Sequence, residues 1–229
     1  MKKIALAILI LCLAASPVFA LADTLRAEGT AMLAVVPDRA VLSVGFAAEN
    51  SELSVSQRQV AAVVAALIEA AKEQGVEENN IATASLNIYP MYNYTESGSQ
   101  LRGHRVEHML DITVTDLDTV GDVLDAMLAA GANQASGITF ASSQAQDVYL
   151  QALGLAVENA AAKAAALAIA AGVWLGGMEE INEITSGAFM YGQYAEAKYA
   201  AGANGSLGST VMAGELNVTA TVELVFEIR

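Results

Sequence analysis

Between Gln144 and Ala171 the chain reads QAQDVYLQALGLAVENAAAKAAALAIAA, with twelve alanines in twenty-eight positions and only Asp147, Glu158 and Lys163 charged. Alanine loses no side-chain entropy on ordering and has the best helix propensity, and the run holds no proline, so it predicts one long helix. Its single glycine, Gly154, costs that helix only about 1 kcal/mol. Ser143 is expected to cap the start with Gln146 as its reciprocal partner, and Gly172 to supply a left-handed stop. Projected around the helix, Asp147, Gln151 and Glu158 make a narrow polar stripe. Tyr149, Leu153, Ala156, Ala160, Ala164, Leu167 and Ala171 line one apolar face, and Val148, Ala152, Leu155, Ala166 and Ile169 another. A helix of this kind needs cover on more than one side.

The N-terminus has the layout of a secretory signal peptide: Lys2 and Lys3, an apolar run from Ile4 to Ala15, then Ser16, Pro17 and small residues, with cleavage expected after Ala20 or Ala22. The apolar run is shorter than the ~20 residues a membrane span requires, so the mature chain is expected from residue 23 onward, without a transmembrane anchor. Cys12 lies inside that run and is the only cysteine. A cysteine-free exported chain has no disulfide framework, thiol redox centre, thiolate metal ligation or c-type haem attachment. Removing Lys2 and Lys3 leaves 9 basic against 25 acidic residues, a net charge near −16. Phosphate backbones are repelled by such a chain, which argues against nucleic-acid binding.

Strand patterns occupy much of the remainder. Thr24 to Val36 and Arg39 to Ala48 flank a Pro37-Asp38 turn, where Asp38 can bond its own backbone. A helix starting at Ser51 or Ser54 carries Val60, Val63, Val64, Leu67, Ile68 and Ala71 on one stripe and closes at Gly75. Ile81 to Tyr89 and His104 to Thr115 read as two arms of a long hairpin with its polar tip at Glu96 to Gln100. Tyr89, Tyr92 and Tyr94 cluster near the tip, as cross-strand packing or as a binding platform. Asp116-Leu-Asp118 precedes a short helix ending at Gly131, and Gly137 to Phe140 and Met178 to Ile184 are short strands. From Leu216 to Ile228 seven apolar residues alternate with a mostly polar set, the pattern of a strand with one buried and one wet face. Ser186 to Gly214 is a Gly/Ala/Tyr-rich insertion of no clear period.

Three constellations invite a chemical reading. His104 and His108 could share a zinc ion on a helix, but on a strand at ~3.3 Å per residue their Cα atoms stand about 13 Å apart. Asp116, Asp118 and Gly121 approach a calcium-loop spacing, yet Val120 and Met127 occupy ligand positions, so the acids are expected to serve the helix N-terminus. Acidic residues such as Asp38, Glu107 or Asp111 are available for acid/base work, which requires a pocket that separates their pKa values. No Gly-x-Ser-x-Gly elbow and no phosphate-binding glycine loop is present. No catalytic, cofactor-binding or metal residue is assigned.

Together, several short pieces resemble the SIMPL-domain family, in particular its exported bacterial members of the periplasmic immunogenic or oxidative-stress-defence type. They are Glu28-Gly-Thr, Pro37-Asp38-Arg-Ala40, Asn80-Ile-Ala-Thr83 after Gly75-Val76, Val114-Thr-Asp-Leu117, Gly131-Ala-Asn-Gln134 and Gly137-Ile-Thr-Phe140. The segment around Lys163, Gly172 with Leu175-Gly176, and Gly214-Glu215 complete the set. One departure is His104 after Gly103, where the family often has an aromatic residue. The resemblance implies an α+β domain spanning 23–229, an antiparallel sheet backed by helices, a tendency to form homo-oligomers that are sometimes ring-like, and no catalytic residues. Two functions follow. One is a non-catalytic, self-associating envelope protein whose Ala-rich helix and Gly/Tyr/Met segment make subunit contacts, because monomers rarely expose large apolar patches. The other is a ligand-binding or hydrolytic enzyme built on the acidic residues. Direct peroxide reduction would have to consume Met or Tyr side chains stoichiometrically.

Overall fold

The computed structural model describes residues 23–95, 98–184 and 211–229. The signal-peptide reading, the hairpin tip at 96–97 and most of the 186–214 insertion lie outside the described residues. The elements run β1 (Thr24–Val35), β2 (Arg39–Asn50), α1 (Leu53–Glu73), β3 (Ile81–Thr95), β4 (Gly98–Val114), α2 (Val120–Ala129), β5 (Gln134–Ala141), α3 (Ala145–Ala171), β6 (Leu175–Glu183) and β7 (Leu216–Ile228). The class is α+β, as the element pattern implies.

Where one sheet was expected there are two, both antiparallel: a four-stranded sheet in the order β3-β4-β2-β5 and a three-stranded sheet in the order β1-β7-β6. The chain crosses between them at Pro37-Asp38, so β1 and β2 do not pair as a hairpin. α1 packs on β2 and β4 with α2 beside it, whereas α3 lies across β1 and β7. One contiguous cluster of buried side chains joins both layers, from Leu42, Leu67, Ile112 and Met127 on one side to Tyr149, Ala160, Ala220 and Leu224 on the other. The alternation along β7 does what its pattern predicts, with Leu216, Val218, Ala220, Val222 and Leu224 buried.

Several local expectations are corrected. Ser143 does not cap α3, whose N-cap residue Gln144 has no side-chain cap, because Ser143 is engaged by Asp38 instead. Gly172 does stop the helix in a left-handed conformation, φ 69°. Glu52, rather than a serine, is the N-cap residue of α1, and the Asn50 carboxamide accepts the Glu52 N–H at 3.0 Å. The hairpin is longer than its polar composition suggests: pairing continues to Thr95 opposite Gly98, so Ser99 and Gln100 belong to β4.

The largest difference concerns α3. Only one stripe is buried, Tyr149, Ala152, Ala156, Ala160, Ala164 and Ala168. It combines residues from both expected faces and leaves Leu155, Leu167 and Ile169 exposed. The stripe is chosen by closeness of approach. A Cβ placed on Gly29 of β1 would stand 2.0 Å from the Ala156 carbonyl oxygen and 2.5 Å from the Ala160 nitrogen, so strand and helix backbones nearly touch there. Only glycine facing alanine permits this. Asn159 Nδ2 donates to the Thr30 carbonyl at 3.1 Å and Lys163 Nζ to that of Glu28, tying the flank of the helix to β1.

Candidate functional site

The three candidate carboxylates do not meet. Asp38 sits in the crossover, where its carboxylate accepts the Ser143 backbone N–H at 3.0 Å, the Ser143 hydroxyl and Arg39 Nε at 2.9 Å. It therefore bonds the start of α3 rather than its own backbone. Partial burial works to raise its pKa, but the hydrogen bonds from Ser143 and Arg39 outweigh this and hold the carboxyl below its usual 3.8. Glu107 and Asp111 lie on β4, four residues apart and so roughly 13 Å. They share the sheet face turned away from Val106 and Leu110, which are buried beneath α1. Asp111 accepts from the Ser43 hydroxyl at 2.5 Å, and Glu107 accepts from Arg105 at 3.0 Å.

Arg105, which sequence reasoning passed over, is the centre of that polar face. Its guanidinium reaches Glu107, Glu49 at 3.4 Å and Gln134 at 3.5 Å, while Arg102 also contacts Glu49 at 3.0 Å. The register that puts Arg105 opposite Glu49 assembles this cluster. Such half-exposed pairs hold the surface in order but contribute little to stability. Asn133 was missed as well. Its Oδ1 accepts the Ala47 N–H at 2.8 Å and its Nδ2 donates to the Ala47 carbonyl at 2.9 Å, imitating one more rung of the β2–β5 ladder just before β5 begins.

His104 and His108 both lie on β4. His108 Nε2 bonds the Thr83 hydroxyl at 3.1 Å, and His104 Nδ1 is buried with no hydrogen-bond partner among the described residues. Asp116 accepts the Asp118 N–H at 3.2 Å and its carbonyl accepts the Thr119 hydroxyl, so this acid starts the turn that leads into α2. Among the described residues no group of three or more His, Cys, Asp or Glu side chains is placed to hold a metal ion. A cleft of about 370 Å³ lies where Gln74 to Glu77 meet Thr113 to Asp116, and none of the three candidate carboxylates lines it. Tyr89, Tyr92 and Tyr94 are not packed away: they stand exposed on the β3–β4 hairpin, Tyr94 most of all at 84%.

What stands out is apolar surface. On the outer side of α3 and just beyond it, Leu150, Leu155, Leu167, Ile169 (80% exposed) and Trp174 (73%) face outward. A shallow hollow of about 260 Å³ lies between Ile169, Trp174 and Leu175. No charged residue occurs from Ala164 to Met178. By length and composition α3 could cross a membrane; one side of it, the alanine stripe, is seated on β1 and β7.

Fold and surface together define an α+β scaffold whose polar side chains serve as internal ties and whose unsatisfied feature is a greasy helix flank. The chain belongs to the SIMPL family, described as a protein of unknown function (DUF541), which matches residues 25–226. It is 30% identical to a 26 kDa periplasmic immunogenic protein of Brucella melitensis over 210 residues, covering 88% of this chain and 83% of that one. A protein of the same description in Brucella abortus is 29% identical over the same coverage. The uncharacterized protein YggE of Edwardsiella ictaluri is 31% identical over 150 residues, 65% of this chain and 63% of the relative. None of these names states a chemical activity.

Proposed function

We propose that this chain is an exported, periplasmic, non-catalytic protein that works as an assembly of its own copies. The observation that carries the reading is the C-terminal end of α3, where Ile169 and Trp174 stand exposed around one hollow within a stretch free of charge. A contiguous apolar surface of this kind favours a partner over water. The partner of choice is a second copy. In a mature chain carrying a net charge near −16, two copies repel wherever acidic surfaces meet, and a neutral apolar flank is where they approach without that penalty. Export rests on the N-terminal pattern and on the periplasmic names of the Brucella relatives. Any contribution to oxidative-stress defence is then indirect, through the envelope structure the assembly supports. Light scattering on residues 23–229 at micromolar concentration tests the reading. The expected mass is a multiple of one chain, reduced in Ile169→Glu/Trp174→Glu; a single-chain mass for the wild type overturns it.

A further inference from the structure

Beyond the flank of α3, we infer that the outer edge of β3 is a second self-association surface, pairing antiparallel with β3 of another copy across a two-fold axis. Among the described residues, β3 is the terminal strand of the four-stranded sheet, with β4 on one side and no strand on the other. Open edges present unpaired N–H and C=O groups, and proteins blunt them with charge, proline or a bulge. Here the fifteen residues from Ile81 to Thr95 contain no charged side chain. The strand is interrupted by a register shift between Thr83 and Ser85 and, from residue 90 on, by Pro90 and a second shift between Met91 and Tyr92. Between them Ser85 to Tyr89 pairs regularly with β4, about the length of an ordinary strand.

Side chains on this stretch point to the same occupant. Leu86 and Ile88 sit opposite His108 and Val106, so they share the sheet face that α1 covers. α1 packs over β2 and β4, leaving Leu86 59% and Ile88 43% exposed beside an apolar hollow of about 220 Å³ walled by Gln57 and Val60. An identical strand laid antiparallel brings its own Leu86 and Ile88 onto the same shelf. Such an isologous contact is self-complementary by symmetry. The charge condition that selects a second copy at α3 holds here too, since the edge is neutral in an acidic chain. The inference rests on the self-association proposed above and assigns it a different surface, on the sheet that α3 does not cover.

The mature chain has no cysteine, which allows a direct test with residues 23–229. Single cysteines are placed at each position from Ser85 to Tyr89 and oxidised at low micromolar concentration. Conversion of most of the protein to a covalent dimer at the position nearest the two-fold axis is expected, with little at its neighbours. In parallel, Leu86→Glu/Ile88→Glu, whose circular dichroism should match the wild type because both side chains are exposed, is expected to lose half or more of the native particle mass. If that variant keeps the wild-type mass and no position cross-links, the β3 contact is wrong while self-association stands. If the wild type itself has the mass of one chain, both readings fall.

Discussion

Replacing Gly29 by alanine adds one methyl group to the chain and should cost more than almost any other single methyl here. Carbon atoms make their best contacts at about 3.5–4.0 Å, so a Cβ placed 2.0 Å from the Ala156 carbonyl oxygen intrudes by roughly 1.5 Å. The obstacles at Ala156 and Ala160 are backbone atoms, which no side-chain rotation moves aside. α3 must retreat, opening a gap along the alanine stripe and stretching the bonds from Asn159 to Thr30 and from Lys163 to Glu28. Overpacking of this sort costs about 1–3 kcal/mol, and two weakened hydrogen bonds add about 1 kcal/mol each. A loss of about 3–5 kcal/mol lowers Tm by more than about 6 °C in a domain of this size. Thermal unfolding followed at 222 nm, at one protein concentration, measures it. Gly154→Ala supplies the control: nothing lies within 4 Å of that Cβ, so the same substitution should gain about 1 kcal/mol of helix propensity and raise Tm by about 2–4 °C. A Gly29→Ala protein that melts within 2 °C of wild type, by the same scale of about 2–4 °C per kcal/mol, would refute the close-approach account of α3.

Asn133→Ala should leave the Ala47 N–H and C=O without their partner and lower stability by about 2 kcal/mol, read as a fall in the urea midpoint. Asn133→Asp should not rescue it, since a carboxylate can accept from the N–H but repels the carbonyl. For Asp38, a folded-state pKa below 3.8 means a contribution present above that value and lost as pH falls through the folded-state pKa. The Tm difference between wild type and Asp38→Asn should accordingly shrink from pH 7 to pH 3. At pH 7 it should correspond to only about 1 kcal/mol, because the side chain is 41% exposed. Arg105→Gln should cost less than about 1 kcal/mol in the same assay, its partners being half-exposed carboxylates.

Elements with a strong period were legible in the chain before any coordinates: β7 through its alternation, α1 through its valine and leucine stripe, and the end of α3 through Gly172. The buried side of α3 was not, because a helix with alanine nearly all round has almost no hydrophobic contrast to read. Its orientation is decided by the absence of a side chain at Gly29, more than a hundred residues away. The same limit hid the bond between Asp38 and Ser143, which are 105 positions apart. Composition misplaced the hairpin tip, since Ser99 and Gln100 look like loop residues yet have strand partners in Asn93 and Tyr94. Arg105 was invisible as a hub for a related reason: its neighbours Glu49 and Gln134 come from two other strands.

The motifs that carry the family resemblance gain a physical meaning from these placements. Gly29 admits the helix, Asp38 fastens its start, Asp116 opens the turn into α2, and Asn133 extends a ladder just before its strand begins. Gly103 belongs with them: a Cβ there would stand 2.5 Å from the Asn50 carbonyl oxygen, so the hairpin can pass the end of β2 only without a side chain. Each of these residues has an internal task that accounts for its type, whereas two further family pieces, Gly75-Val76 with Asn80 and Val114-Thr115-Asp116, meet along the cleft of about 370 Å³. Among the described residues, apolar side chains at the C-terminal end of α3 and on the edge of β3 have no such task, and the functional question turns on what covers those two surfaces as well as on that cleft.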